Sequence, residues 1–496
     1  MAPSSTALRR VDVQHLLGDV AKIRCRTERR GKWSEYFGEA DLASIKDAKL
    51  DFILRFGFGI IRGDILTAAR YGIWSYHHDD EERYRGGPPC FWEIYREDPV
   101  TGAVLQRLTE RLDGGIVLHK GWFQTIAHSY VRNRDQVALG AADWPARVCK
   151  DIVNGTAGYL DGPPSRSTAP LDHNPTTRQM AVFLARLVRN FLRAQLRGIL
   201  QADRWSVGIA DRPIETFLGN GQAPRIRWLS EPGGSRYLAD PFAVPNGDGL
   251  ALLAEEYDYG RHRGRITLLQ PTEDGDPRSH GDVFRLEGHA SYPFVFEHAG
   301  MVYCVPETAR ARRVDLYRAT EPPRSWTFVT TLLEGVPALD PTLFRYGDRW
   351  WLFFTDRDRG PYTKLCAWFA DDIEGPWGPH PQNPLKTDVR SSRPAGTPFV
   401  HDGALFRPAQ DNSRGYGGAV AINRVLRLTS TEFEEEVVAV VEPDERGPYP
   451  AGLHTLAAAG ERTLLDGKRR VFVWDRFTHE LSARTKRLFA RDGARS

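Results

Sequence analysis

The sequence predicts an α/β module followed by an all-β five-bladed propeller. Three observations carry that expectation. Residues 50–77 read as strand, short helix, strand, the grammar of a parallel sheet. Residues 205–480 hold a weak repeat, aligned at 239–256, 291–307, 339–356 and 396–411. Each unit opens on x-Pro-x-[Phe/Leu] or a close variant, turns at a glycine and ends an apolar strand on a polar residue, which suits radial repetition better than a two-sheet sandwich. A chain of 496 residues is also too long for one ordinary core, so at least two domains are required.

In chain order, Leu50–Phe56 is a short apolar strand ending at Gly57 and Gly59. Gly63–Arg70 is a helical turn or two, and Gly72–His77 a second buried strand. Chemistry in such sheets collects at the carboxyl ends of strands, where Ser75, His77 and His78 fall. Residues 154–176 are dense in Gly, Pro, Ser and Thr and read as a linker. A long helix follows, capped by Thr176 or Thr177, with Met180, Phe183, Leu184, Leu187, Val188, Phe191, Leu192, Leu196, Ile199 and Leu200 at helical spacing. Arg186, Arg189, Arg193 and Arg197 make a basic stripe on it, read either as the solvated face of a helix packed between domains or as a membrane- or phosphate-facing surface. The expected domains are 1–160, 161–204 (linker and helix) and 205–490. A fifth, degenerate repeat is expected at His454–Leu456 with a partner strand at Arg470–Asp475.

Composition narrows the function. Lys and Arg number 67 against 64 Asp and Glu, too even for a protein that coats nucleic acid. Five scattered cysteines, none in a C-x-x-C pair, argue against a disulfide framework or zinc cage, so no metal is predicted. No run of about 18 apolar residues is present, and the first residues lack a secretory apolar core, so the expectation is a soluble, cytoplasmic protein with no transmembrane segment. The aromatic surplus, including 13 Trp, reads mostly as β-core, with Trp350 and Trp351 inside the third repeat.

Residues 72–89 carry a specific pattern: Ser75-Tyr76-His77 at a strand end, then Tyr84-Arg85-Gly86-Gly87-Pro88-Pro89, and later Leu112-Asp113-Gly114-Gly115, with Asp113 36 positions after His77. This resembles the 10-formyltetrahydrofolate-dependent formyltransferases, whose signature is Asn-x-His, Tyr-Arg-Gly-x-x-Pro and Leu-Asp-x-Gly. The resemblance covers residues 50–120 and implies a partial Rossmann-like module. It implies 10-formyltetrahydrofolate as donor, with Gly57, Phe58 and Gly59 in the cofactor loop, His77 and Asp113 catalytic, and Arg83 and Arg85 as substrate contacts. Formyl transfer to an amine needs a donor at the developing oxyanion and a group that takes the amine proton. Ser75 stands at the Asn position with a shorter side chain. The loop His78–Glu82 replaces an apolar segment and is expected to be a solvated acidic loop. None of the first 49 residues reads as a strand with a glycine turn, so the family's first βαβ unit is expected to be missing.

In the repeats, Asp240-Pro241 and Asp340-Pro341 occupy matching positions. One Asp-Pro is commonly a turn cap; two at equivalent positions point to a sugar-binding funnel. The pattern resembles five-bladed propeller glycosidases such as glycoside hydrolase family 43. That resemblance implies Asp240 as base and Asp340 as the carboxylate that tunes an acid. The acid should be a Glu of the fourth unit; that unit offers Arg393, Thr397, His401 and Asp402 instead, leaving Glu307 as the substitute, with Glu255 and Glu256 behind it. Arg393 is a candidate substrate contact. Tyr237–Phe242, Tyr292–Phe294, Pro306–Thr308 and Asp340–Leu343 resemble the N-terminal propeller of plant glucosamine inositolphosphorylceramide transferases. The expected partner is a carbohydrate or nucleotide sugar and the expected reaction N-formylation of an amino sugar; the alternatives are glycoside hydrolysis and glycan binding without catalysis.

Overall fold

The structure is a computed structural model that describes residues 5–18, 20–112, 114–219, 224–246, 249–272, 277–284 and 286–472. The chain divides into two compact units, Met1–Phe191 and Leu192–Ser496. The division falls within the long helix Thr177–Leu200, inside the segment 161–204 expected to be linker and helix.

In the first unit the central sheet runs Ile53–Leu54, Ile73–His77, Val100–Arg107, Ile116–Gln124. The first pair is parallel, with Ile53 opposite Ile73, and a helical turn at Asp64–Thr67 lies between them in sequence. The strand expected at Leu50–Phe56 is shorter, Ile53–Leu54, and Leu50 and Phe56 at its flanks are exposed. The remaining pairs are antiparallel. Helices Tyr130–Ala141 and Trp144–Val153 bury Val137, Ala141, Trp144 and Val148 against Trp74, Leu105, Leu118 and Phe123. This apolar layer fixes the strand that carries Ser75 and His77.

The first 49 residues do contain a strand and a glycine turn, contrary to the sequence reading. Thr27–Arg30 passes through Gly31, at φ +71°, into Ser34–Phe37. The strand was illegible because Thr27–Arg30 is charged and largely exposed. It forms an antiparallel hairpin extended in parallel by Ile60–Ile61, not a βαβ unit.

Among the described residues the second unit forms five antiparallel sheets arranged as the blades of a propeller. Blade 1 is ordered Ile226–Trp228, Ala202–Ala210, Arg462–Val471, Leu456–Ala459, so the two ends of the unit share one sheet. Blades 2 to 5 follow in sequence, with inner strands Arg236–Val244, Ser291–His298, Ala338–Tyr346 and Phe399–His401. Four repeats align with the first two strands of these blades. The strand that pairs with the fifth repeat is Arg462–Val471, which starts after the turn at Gly460, buries Leu464 and Leu465 and includes the first two residues of the expected Arg470–Asp475; residues 473–475 lie outside the described residues. The region beyond Phe472 lies outside the described residues.

The repeat has a physical basis in the inner strands. Asp240, Tyr292 and Asp340, each before a proline, stand at φ +52°, +41° and +50°. The ladder to the second strand shifts register at the same place in each blade, between Ala239 and Phe242, Ser291 and Phe294, and Leu339 and Thr342. Proline cannot donate to the ladder, and the bulge it marks re-aims the preceding side chain. Phe242, Tyr292, Phe294 and Leu343 pack in one continuous core with Leu253, Val305 and Leu352 of the second strands, and Trp350 and Trp351 are buried as expected.

Candidate functional sites

In the first unit a cavity of about 790 Å³ is lined by Ser75, Tyr76, His77, Gly86, Gly87, Gln106 and Leu112, together with Lys32, Trp33, Arg55, Ile60 and Arg111. Residues 75–77 and 86–87 of the motif region thus reach one wall. Asp113 lies outside the described residues. His77 is buried, and its Nε2 is 3.0 Å from the Tyr84 carbonyl oxygen; a carbonyl only accepts, so this nitrogen carries the proton. Ser75 Oγ accepts from Arg55 Nη1 at 2.9 Å, and Arg55 also donates to the carbonyls of Phe58 and Gly59. Sequence reasoning missed Arg55, which only the pairing of Ile53–Leu54 with Ile73–His77 brings to Ser75.

The expected cofactor loop is placed differently from the motif. Gly57, Phe58 and Gly59 do not line the cavity, while the neighbouring Ile60 and Ile61 do. Gly59 is held by Glu35, whose Oε1 accepts its N–H at 3.1 Å. Arg85 donates to the carbonyls of Leu112 and Ala169 at 3.0 and 3.3 Å, which braces the loop. Arg83 pairs with Asp98 at 2.7 Å.

The acidic loop is not solvated. Asp79, Asp80 and Glu81 are buried, and Lys120 sits 2.8 Å from Asp80, 3.1 Å from Glu81 and 2.9 Å from Glu82. Asp79 also accepts the Cys90 N–H at 2.7 Å. An internal lysine answers the charge that the sequence left for water. His78 is pushed down to about 4 by burial and by neighbouring His77, so it is neutral.

In the second unit the pre-proline residues converge with the ends of other blades. Asp340 takes a bidentate pair from Arg393, at 2.6 and 3.0 Å, and a third bond from Gln410 at 2.6 Å. Its own N–H donates to Glu307 Oε2 at 3.0 Å. Asp240 accepts from Thr455 Oγ1 at 3.0 Å and from the Tyr292 N–H at 3.2 Å, and His454 Nε2 lies 3.6 Å away. His454 Nδ1 stands 2.6 Å from Asp466, whose other oxygen accepts the His454 and Thr455 N–H groups. Tyr292 Oη accepts the Gly396 N–H at 2.7 Å. Asp240, Asp340, Glu307 and Arg393 are thus brought together as the sequence expected. Tyr292 was visible in the repeat alignment as the residue that replaces Asp. His454 and Asp466 were missed because their repeat is degenerate.

Charge governs this centre. Asp240, Glu255, Glu307, Asp340 and Asp466 share one buried field with Arg393 and His454. Burial pushes Asp240 up to about 6; His454 opposes that rise while Asp340 and Asp466 add to it. Burial, with the other carboxylates, holds Glu255 and Glu307 well above the usual carboxylate range. His454 is raised despite its burial, because Asp466 and Asp240 face it. Above the centre, Tyr362 and Tyr416 are 37% and 36% exposed, with ring centroids 5.9 Å apart and the Arg393 guanidinium 5.7 and 5.2 Å away. Asp240, His454 and Asp466 present three metal-ligand atoms within 4.8 Å of one another, as do Asp80, Glu81 and Glu82, which already face Lys120.

The site and fold define an α/β unit joined to a five-bladed propeller with an acidic centre. Within that class, residues 228–450 match the family described as Glucosamine inositolphosphorylceramide transferase 1, N-terminal. The glucosamine inositolphosphorylceramide transferase 1 of Oryza sativa subsp. japonica is 32% identical over 250 residues, covering 47% of this chain and 34% of that protein. The chain therefore spans about a third of the length of that relative. A methionyl-tRNA formyltransferase of Prochlorococcus marinus is 36% identical over 77 residues, 15% of this chain and 23% of that protein. Among solved structures, a family 117 glycoside hydrolase of Zobellia galactanivorans covers 55% of this chain and 91% of its own, at 12% identity and a TM-score of 0.35. Similarity to glucosamine inositolphosphorylceramide transferases is thus carried by the propeller, and the formyltransferase similarity is weaker: a methionyl-tRNA formyltransferase of Bacillus velezensis is 24% identical over 259 residues, 50% of this chain and 73% of that protein.

Proposed function

We propose that this chain acts on a glycoconjugate that carries an amino sugar, recognised at the centre of the propeller. The observation that carries this reading is the crowding there: five buried carboxylates, three of them pushed up by burial and by one another, share the centre with Arg393, His454 and Lys468, beside two exposed tyrosines. An ammonium group favours the ionised form of a crowded carboxylate, and tyrosine faces match the apolar faces of a sugar ring. Calorimetric titration of the full chain at neutral pH with glucosamine and with N-acetylglucosamine tests it. The free amine should bind more tightly, and Asp240→Asn should weaken it about tenfold or more; equal affinities would sink the reading.

For the reaction we propose formyl transfer to the amine at the cavity of the first unit. The residue types there fit a folate: Trp33, Ile60, Ile61 and Leu112 give apolar walls for a flat ring, and Lys32 and Arg111 give positive charge for its carboxylates. When bound, 10-formyltetrahydrofolate supplies the formyl group. Ser75 and Arg55 offer donors to the carbonyl oxygen as charge builds on it, the guanidinium answering the short reach of Ser75, and His77 joins them once its Nε2 proton leaves the Tyr84 carbonyl for the substrate. Asp113, by the resemblance, takes the amine proton. Turnover of nucleotide-linked amino sugars with this donor should vanish in His77→Ala while amine binding at the propeller persists.

Glycoside hydrolysis is the second reading, favoured by two carboxylates in unlike surroundings: Glu307, which burial and Asp340 hold well above the usual range, and Asp240, ionised above about 6. It requires that Asp240→Asn and Glu307→Gln abolish sugar release while His77→Ala leaves it intact.

A further inference from the structure

The long helix Thr177–Leu200 is used by neither site, and its two faces are unlike. Of its 24 residues, five are arginine and none is acidic. Phe183 is its one buried side chain, stacked on Phe91 at 4.2 Å. Leu184, Val188, Leu192 and Leu196 then follow at four-residue intervals and are 53%, 59%, 54% and 56% exposed, with Phe191 beside them at 49%. Residues spaced in this way share one face of a helix. Arg189 pairs with Glu97 and Arg186 lies over the Tyr95 ring, while Arg178, Arg193 and Arg197 are exposed.

We propose that this helix lies flat on an anionic bilayer surface, its Leu184–Leu196 ridge among the acyl chains and Arg193 and Arg197 at the headgroups. An exposed apolar ridge whose opposite face carries positive charge and no negative is the pattern of an interfacial helix. A second copy of this chain is the poorer occupant, because a helix with five arginines and no acidic residue offers the same helix of another copy no opposite charge to pair with. The helix does not span the membrane, since no helix among the described residues is long and apolar enough.

Vesicle flotation of the full chain tests this, with phosphatidylcholine vesicles that contain or lack phosphatidylserine. The chain should float with the anionic vesicles only, and less as salt is raised. Each headgroup-facing arginine contributes about fivefold in partitioning, so Arg193→Gln with Arg197→Gln should lower it about 25-fold. Val188→Gln with Leu192→Gln should lower it as much while every charge is kept. All four positions are exposed, so these variants should melt with the wild type, and that is checked by circular dichroism. A wild-type chain that stays down with anionic vesicles, or variants that float equally well, overturns the proposal. A concentration-dependent dimer lost in Val188→Gln/Leu192→Gln, without vesicle binding, also overturns it and assigns the face to a second copy.

Discussion

Arg393 is where the propeller centre is most exposed to a single substitution. Its fork meets both oxygens of Asp340, and the pair is buried with Glu307 3.8 Å from the same guanidinium. Truncation to Leu leaves a buried carboxylate without its cation, which costs about 3–5 kcal/mol. Arg393→Lys keeps the charge but not the fork, so it should fall between Leu and wild type. Urea unfolding reads both, and adding Asp340→Asn to Arg393→Leu should restore part of the loss. If Arg393→Leu unfolds at the wild-type midpoint, the pair is not a stabilising contact. Tyr292→Phe removes the acceptor of the Gly396 N–H and should cost about 1–3 kcal/mol. At this scale Asp240 and Asp340 were legible because a repeat placed them twice. Arg55, His454 and Asp466 were not, since each is defined by a partner distant in sequence.

At the level of elements, the pre-proline bulge and the long helix are the two features the sequence announced most clearly. Fixed residue types cause both. Thr176 caps the helix reciprocally with Gln179: the hydroxyl accepts the Gln179 N–H at 3.3 Å, and the Gln179 side chain accepts the Thr176 N–H at 2.8 Å. Thr176→Ala should cost about 1 kcal/mol, read as an approximately fivefold faster amide exchange in the first turn. Blade 5 uses another device. Gly396 stands at φ +120°, and a Cβ there would meet the Leu456 carbonyl oxygen at 2.0 Å. Gly396→Ala therefore strains the backbone and pushes apart the bridge that joins blade 5 to blade 1. A loss of more than about 2 kcal/mol is expected in unfolding of the second unit. The charged hairpin at Thr27–Phe37 was illegible because neither face of it forms an apolar core that periodicity could register.

For the whole molecule, length required two cores and the structure has two, but the boundary was hidden inside a continuous helix whose periodicity gives no break. The closure of blade 1 by both ends of the second unit was equally unreadable, because Ala202–Ala210 and Arg462–Val471 share no motif. What that closure encloses sets how stability should vary with pH. Asp240 titrates at about 6 in the folded state against 3.8 when unfolded. Between those values the folded chain holds more protons, so stability falls as pH rises through the window. Glu255 and Glu307, also raised, act with the same sign above the ordinary carboxylate range. The stabilisation from His454, raised above 6.5, is complete below that value and is lost as pH rises through its folded pKa. Asp466 is lowered, so its contribution is lost only as pH falls below the ordinary carboxylate range. Four groups therefore pull one way above about pH 4. The stability of the second unit should be highest near pH 4–5 and decline toward pH 8, the Asp240 share of on the order of 2–3 kcal/mol being lost mainly between pH 4 and 6. Calorimetry across that range reads it, and Asp240→Asn should flatten the slope. A melting temperature that climbs steadily to pH 8 would mean that the centre holds its carboxylates ionised, against the burial and crowding that define it.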